Sequence, residues 1–74
     1  MATPKINADF NNADKKGRLR LATNGSLNDI KRQNLEMSEG IRFSAYDGDL
    51  SANAQVTFSE EEKIWVAIID WSKI

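Results

Sequence analysis

The chain contains neither cysteine nor histidine. At 74 residues it has room for one domain only. Domains of this size bury little surface and usually draw on disulfides, a structural metal or a partner for stability. Disulfides and Cys/His metal sites are both excluded, which leaves tight packing of apolar side chains, or a partner. Two Trp, three Phe and one Tyr are the bulkiest material for either purpose.

The apolar residues are spaced with a period of two, the signature of half-buried strands. Ile6-Asn7-Ala8-Asp9-Phe10, Arg18-Leu19-Arg20-Leu21, Ile41-Arg42-Phe43-Ser44-Ala45-Tyr46 and Ala54-Gln55-Val56-Thr57-Phe58 all alternate. Leu35-Glu36-Met37 does so more briefly. Residues 1–5 are expected as a loose end around Pro4. Asn11–Gly17, Ser38-Glu39-Gly40 and Asp47-Gly48-Asp49 carry turn residues. Asn24-Gly25 reads as a tight turn. Leu27 and Ile30, three apart after a capping Ser26, predict a short helix or helical turn over residues 27–33.

Ile64–Ile69 is apolar at every position. Ser59 and Glu62 before it spell a capping box, so a helix is one reading. The run is short and rich in β-branched residues, and a helix there would be apolar all round, which favours a strand. Residues 54–69 then form a hairpin. The predicted core is Ile6, Phe10, Leu19, Leu21, Ile30, Leu35, Ile41, Phe43, Val56, Phe58, Ile64, Val66 and Ile68. Trp65 and Ile69 fall on the second face of the last strand, with Trp71 just beyond.

Chemistry is sparsely represented. The usual neutral-pH base and the best nucleophile are both missing. Asp47/Asp49 and Glu60/Glu61/Glu62 have turn-forming or charged flanks, with nothing apolar beside them to raise a carboxyl pKa. No enzyme and no cofactor are expected. Asp47, Asp49, Ser51 and Asn53 alternate as calcium-loop ligands do, but Ala52 and Phe58 stand where glycine and a bidentate glutamate are needed, so no metal site is predicted.

Charge points in two directions. Residues 1–35 carry seven cations against three carboxylates, and residues 36–74 three against eight, for a net charge of −1. Lys15, Lys16, Arg18 and Arg20 form a basic strand face that a nucleic-acid-binding barrel could use, although the acidic balance of the whole chain runs against it. Trp65, Ile69 and Trp71 form the other candidate. Trp is a frequent anchor of protein interfaces, and equally good filling for a small core. The preferred expectation is a non-catalytic protein-interaction module, with another protein or a second copy as partner. Nucleic acid is the alternative, and no membrane partner is expected. The lack of cysteine and of a leader-like stretch predicts a cytoplasmic location.

The stretch Ser38-Glu39-Gly40-Ile41-Arg42-Phe43-Ser44-Ala45-Tyr46-Asp47, the hairpin at 54–69 and the ending Asp70-Trp71-Ser72 resemble SH3-like small barrels. Ala8–Asp14 and Trp65–Trp71 also resemble short, uncharacterised bacterial proteins. In SH3-like barrels a further strand follows that short turn; here the N-terminal strand is expected to take its place. The exposed aromatic cluster of a proline-peptide groove has no counterpart, so no binding residue carries over. The expectation is a single mainly β domain over residues 1–74, a five-stranded, mostly antiparallel small barrel or curled sheet with one short helical turn.

Overall fold

The computed structural model describes residues 3–73. It is mainly β: a five-stranded mixed sheet curled into a half-barrel, with one short helix. In chain order the strands are β1 (Lys5–Asn7), β2 (Leu19–Arg20), β3 (Arg42–Asp47), β4 (Leu50–Ser59) and β5 (Ile64–Ile69); helix α1 (Asn24–Arg32) lies between β2 and β3. The spatial order is β1-β3-β4-β5-β2. The β1–β3 pair is parallel and the others are antiparallel. Lys5 thus belongs to an ordered strand rather than a loose end; Met1 and Ala2 lie outside the described residues.

Two hairpins form the frame. β3 and β4 join through a two-residue loop closed by the Asp47–Leu50 pair. Its first residue, Gly48, has φ +60°, as a type II′ hairpin turn requires of that position. β4 and β5 join through residues 60–63, with the Glu62 N–H bound to Ser59 Oγ at 3.2 Å. The Ser59–Glu62 capping signal is realised as one turn, and Ile64–Ile69 continues as a strand. Lys63 takes the left-handed conformation that closes the turn, φ +59°.

The helix starts earlier than its apolar spacing implies. Thr23 is the N-cap, its Oγ1 accepting from the Ser26 N–H at 3.2 Å, which satisfies a first-turn donor. Asn24-Gly25 is therefore the first turn of the helix, not a tight turn ahead of it. Gly25 lies against β1: a Cβ there would sit 2.3 Å from Asn7 Oδ1 and displace that side chain. At the other end Asn34 is left-handed, φ +54°. Its N–H donates to Lys31 O, and the Leu35 N–H to Ile30 O. These two bonds make a Schellman cap, and its usual apolar pair is Ile30 with Leu35. Leu35–Met37 is thus the helix exit rather than a strand.

The helix closes the open edge of β1. The odd-numbered residues of β1 direct their backbone groups away from β3. Ser26 Oγ donates to Asn7 O, Asp29 Oδ2 accepts from the Asn7 N–H at 2.9 Å, and Gln33 Nε2 donates to Lys5 O at 2.6 Å. Residues 26, 29 and 33 share one helix face, so a polar stripe of the helix substitutes for a sixth strand. Edge strands left open invite pairing with other chains.

Ile6, Ala8, Phe10, Leu19, Leu21, Phe43, Ala45, Ala54, Val56, Ala67 and Ile69 form the buried core. Ile30, Leu35, Ile41 and Trp65 pack partly against it. The expected phase of β5 is inverted. In register, Val56 faces Ala67, Ala54 faces Ile69 and Phe58 faces Trp65, so Trp65 and Ile69 point with the core. Val66 is buried on the opposite face, flanked in register by Thr57 and Arg20. Ile64 is half-buried and Ile68 is exposed. The unbroken apolar run held no phase information; the alternating partner β4 supplied it.

Burial raises the Asp14 carboxyl pKa, but bonds from Arg18 and the Lys16 N–H outweigh this and hold it below 3.8. The Tyr46 hydroxyl is the main cause that lowers Asp29 below the same value, against burial and with help from the Asn7 N–H. Both carboxylates therefore stabilise the fold fully above their ordinary pKa and lose that contribution as pH falls through the depressed folded values. Urea unfolding followed from neutral pH to about pH 2 should show this acid loss, with a shallower slope in Asp29→Asn. At neutral pH, Asp29→Ala should cost about 2–4 kcal/mol and Ser26→Ala about 1–2 kcal/mol, since each strands a β1 edge group.

Candidate functional site

The half-barrel leaves an apolar cleft between its helix and the β4–β5 hairpin. Leu21 enters it from the end of β2, Leu27 and Ile30 from α1, Met37 from the helix exit, and Phe58 and Trp65 from the hairpin. Its volume is about 310 Å³. Leu27 and Ile30 reach it together because residues three apart share a helix face. Phe58 and Trp65 are register partners whose rings meet edge to face, with centroids 5.1 Å apart. Leu27 is 52% exposed although it adjoins this apolar surface. Lys63, in its left-handed turn position, lies at the rim, its Nζ 3.5 Å from Glu60 Oε2. The cleft can accept apolar side chains.

Of the three residues expected to form a contact face, only Trp65 borders this cleft. Ile69 is buried in the core. Trp71 lies beyond the opposite end of β5, roughly 20 Å along an extended chain from Trp65. Its indole N–H donates to Gly17 O at 2.7 Å, and its ring meets Phe10 edge to face with centroids 6.2 Å apart. Trp71 thus fastens the C-terminal turn to the 11–18 loop. Trp65, Ile69 and Trp71 do not make one surface, because β5 turns the first two inward and carries the third past the sheet. Leu27, Ile30, Met37 and Phe58 join Trp65 instead. The three-residue spacing of Leu27 and Ile30 was the visible signal for part of this set; nothing in the chain linked it to Phe58.

The basic strand face is largely compensated by carboxylates. Arg18 Nε lies 2.8 Å from Asp14 Oδ2, and Arg20 grips Glu62 through two bonds of 2.7 Å. Arg20 also donates to Asn12 Oδ1 and Ala13 O. The hydrogen bond between Arg20 and Glu62 is the leading cause that raises the arginine pKa and lowers the glutamate pKa. Lys16 lies 3.7 Å from Glu61, with both side chains exposed. Among the described residues, only Lys15 of the four has no carboxylate within ion-pair distance. The basic and acidic halves of the chain therefore interleave.

The acidic turn has structural employment as well. Asp47 Oδ2 accepts from the Phe10 N–H at 3.1 Å, while Ser51 and Asn53 extend along β4. Among the described residues, no group of three or more His, Cys, Asp or Glu side chains is placed to hold a metal, and no helix is long and apolar enough to cross a membrane.

Trp71→Phe keeps the ring contact with Phe10 but removes the bond to Gly17. It should lower unfolding free energy by about 1 kcal/mol in urea titration and leave binding at the apolar cleft unchanged.

No protein-family model matches the chain, and no curated protein or solved structure is significantly similar to it.

Proposed function

We propose that this domain is a non-catalytic protein-interaction module that receives apolar side chains of a partner in the cleft between α1 and the β4–β5 hairpin. The observation that carries this reading is Leu27: a large apolar side chain, half open to solvent, set beside Ile30, Met37, Phe58 and Trp65. A single exposed leucine is unremarkable on a protein surface, but one continuous with an aromatic-lined cleft gives a partner both an anchor and a pocket. The partner is another protein or a second copy of this chain. The nucleic-acid reading through Lys15, Lys16, Arg18 and Arg20 ranks second, because three of those cations already have carboxylate partners.

Leu27→Glu tests the reading without disturbing the core. Its unfolding free energy should stay within about 0.5 kcal/mol of wild type, as for most exposed substitutions. Tagged wild-type protein should retain a near-stoichiometric protein through nuclease treatment, and the Leu27→Glu form should lose it. For self-association, the same variant should abolish the concentration-dependent rise in sedimentation coefficient. Equal retention by both forms would sink the cleft as the binding site. Recovery that disappears with nuclease would shift the assignment to the basic strand face.

A further inference from the structure

A second concavity, of about 860 Å³, runs from the C-terminal end of α1 across β1 to the tip of the β3–β4 hairpin. Small-molecule sites usually span roughly 300–1,000 Å³. This groove shares no lining residue with the apolar cleft. Among the described residues, Arg32 and Lys5 are its cations and Asp49 its only lining carboxylate.

Arg32 is both held and open. Its Nη2 lies 2.7 Å from Asp29 Oδ1, yet its side chain is 72% exposed. Asp29 is a rigid holder: its side chain is only 7% exposed, and its other oxygen accepts from Tyr46 Oη at 2.6 Å and the Asn7 N–H at 2.9 Å. The guanidinium carries five donors in a planar fork. Asp29 engages the guanidinium through Nη2, and donors remain open to a carboxylate or phosphate. Lys5, among the described residues, has no carboxylate within ion-pair distance. Leu50, 47% exposed at the hairpin tip, and Leu35 line the same groove. Cations and apolar side chains thus line the same groove.

We propose that this groove binds a small organic anion, its carboxylate or phosphate at Arg32 and its apolar body against Leu50. Arg32 makes the contact, and Asp29 is a positioning residue that acts through it. Hexanoate, hexyl phosphate and neutral hexanol, titrated into isotope-labelled protein and followed by amide NMR shifts, separate the contributions. Either anion should produce saturable shifts at Lys5, Arg32, Ser44 and Leu50, with hexanol far weaker, and the tighter anion identifies the preferred head group. Arg32→Gln should weaken anion binding at least about tenfold, the loss of one charged hydrogen bond. Asp49→Asn should strengthen it about twofold, by removing a carboxylate that lines the groove beside the bound anion. Leu50→Ser, at an exposed position that leaves the fold intact, should weaken both anions together. Shifts that never saturate, an equal response to hexanol, or wild-type affinity in a folded Arg32→Gln protein would overturn the proposal.

Discussion

The sheet depends on how its short first strand is closed. β1 is three residues long and pairs with β3 on one side only. A strand so short contributes little unless its outer groups are satisfied, and α1 satisfies them with side chains: Ser26 and Asp29 on Asn7, Gln33 on Lys5. Asp29 has the most partners, taking the Asn7 N–H, the Tyr46 hydroxyl and the Arg32 guanidinium at once. It joins helix, edge strand and the neighbouring strand β3 through one carboxylate. Hydrogen bonds to a charged group are the stronger kind, so this arrangement suits a domain whose buried core cluster is four alanines, five larger aliphatic side chains and two phenylalanines.

Both openings on the surface follow from that closure. Because α1 spends its polar stripe on the edge of β1, Leu27 and Ile30 turn towards the β4–β5 hairpin and form one wall of the apolar cleft. Because Asp29 reaches Arg32 as well as Tyr46, the end of the same helix holds a guanidinium over the second groove. One helix of nine residues thus shapes a surface suited to apolar side chains and another suited to an anionic head group.

Cross-chain ion pairs explain why the uneven charge of the two halves does not become two charged surfaces. Lys16 and Arg20 from the basic half meet Glu61 and Glu62 from the acidic half, since β2 lies beside β5. Arg20 also covers the outer face of the sheet at the register position of Val66. A cation cluster that suggests a polyanion partner in the linear chain is, in the fold, largely part of the packing of the 11–18 loop.

The class of the fold was legible in the residues alone. Period-two spacing marked most of the sheet, and the absence of cysteine and histidine left packing as the means of holding it together. The helix was visible in Leu27 and Ile30, but its true limits rest on Thr23 and Asn34, whose capping roles emerge only with the backbone conformation. Asn24-Gly25 misled because the same pair suits a tight turn and a close helix–strand approach. The phase of β5 could not be read at all: six consecutive apolar residues satisfy either face. Pairing with the alternating β4 settled it and sent Trp65 and Ile69 inward. Local pattern determines which segments are strands, since alternation is a property of neighbouring residues. Which surface a doubly apolar strand buries, and which distant side chains meet in a cleft, are set by contacts between segments, and those exist only once the chain has folded.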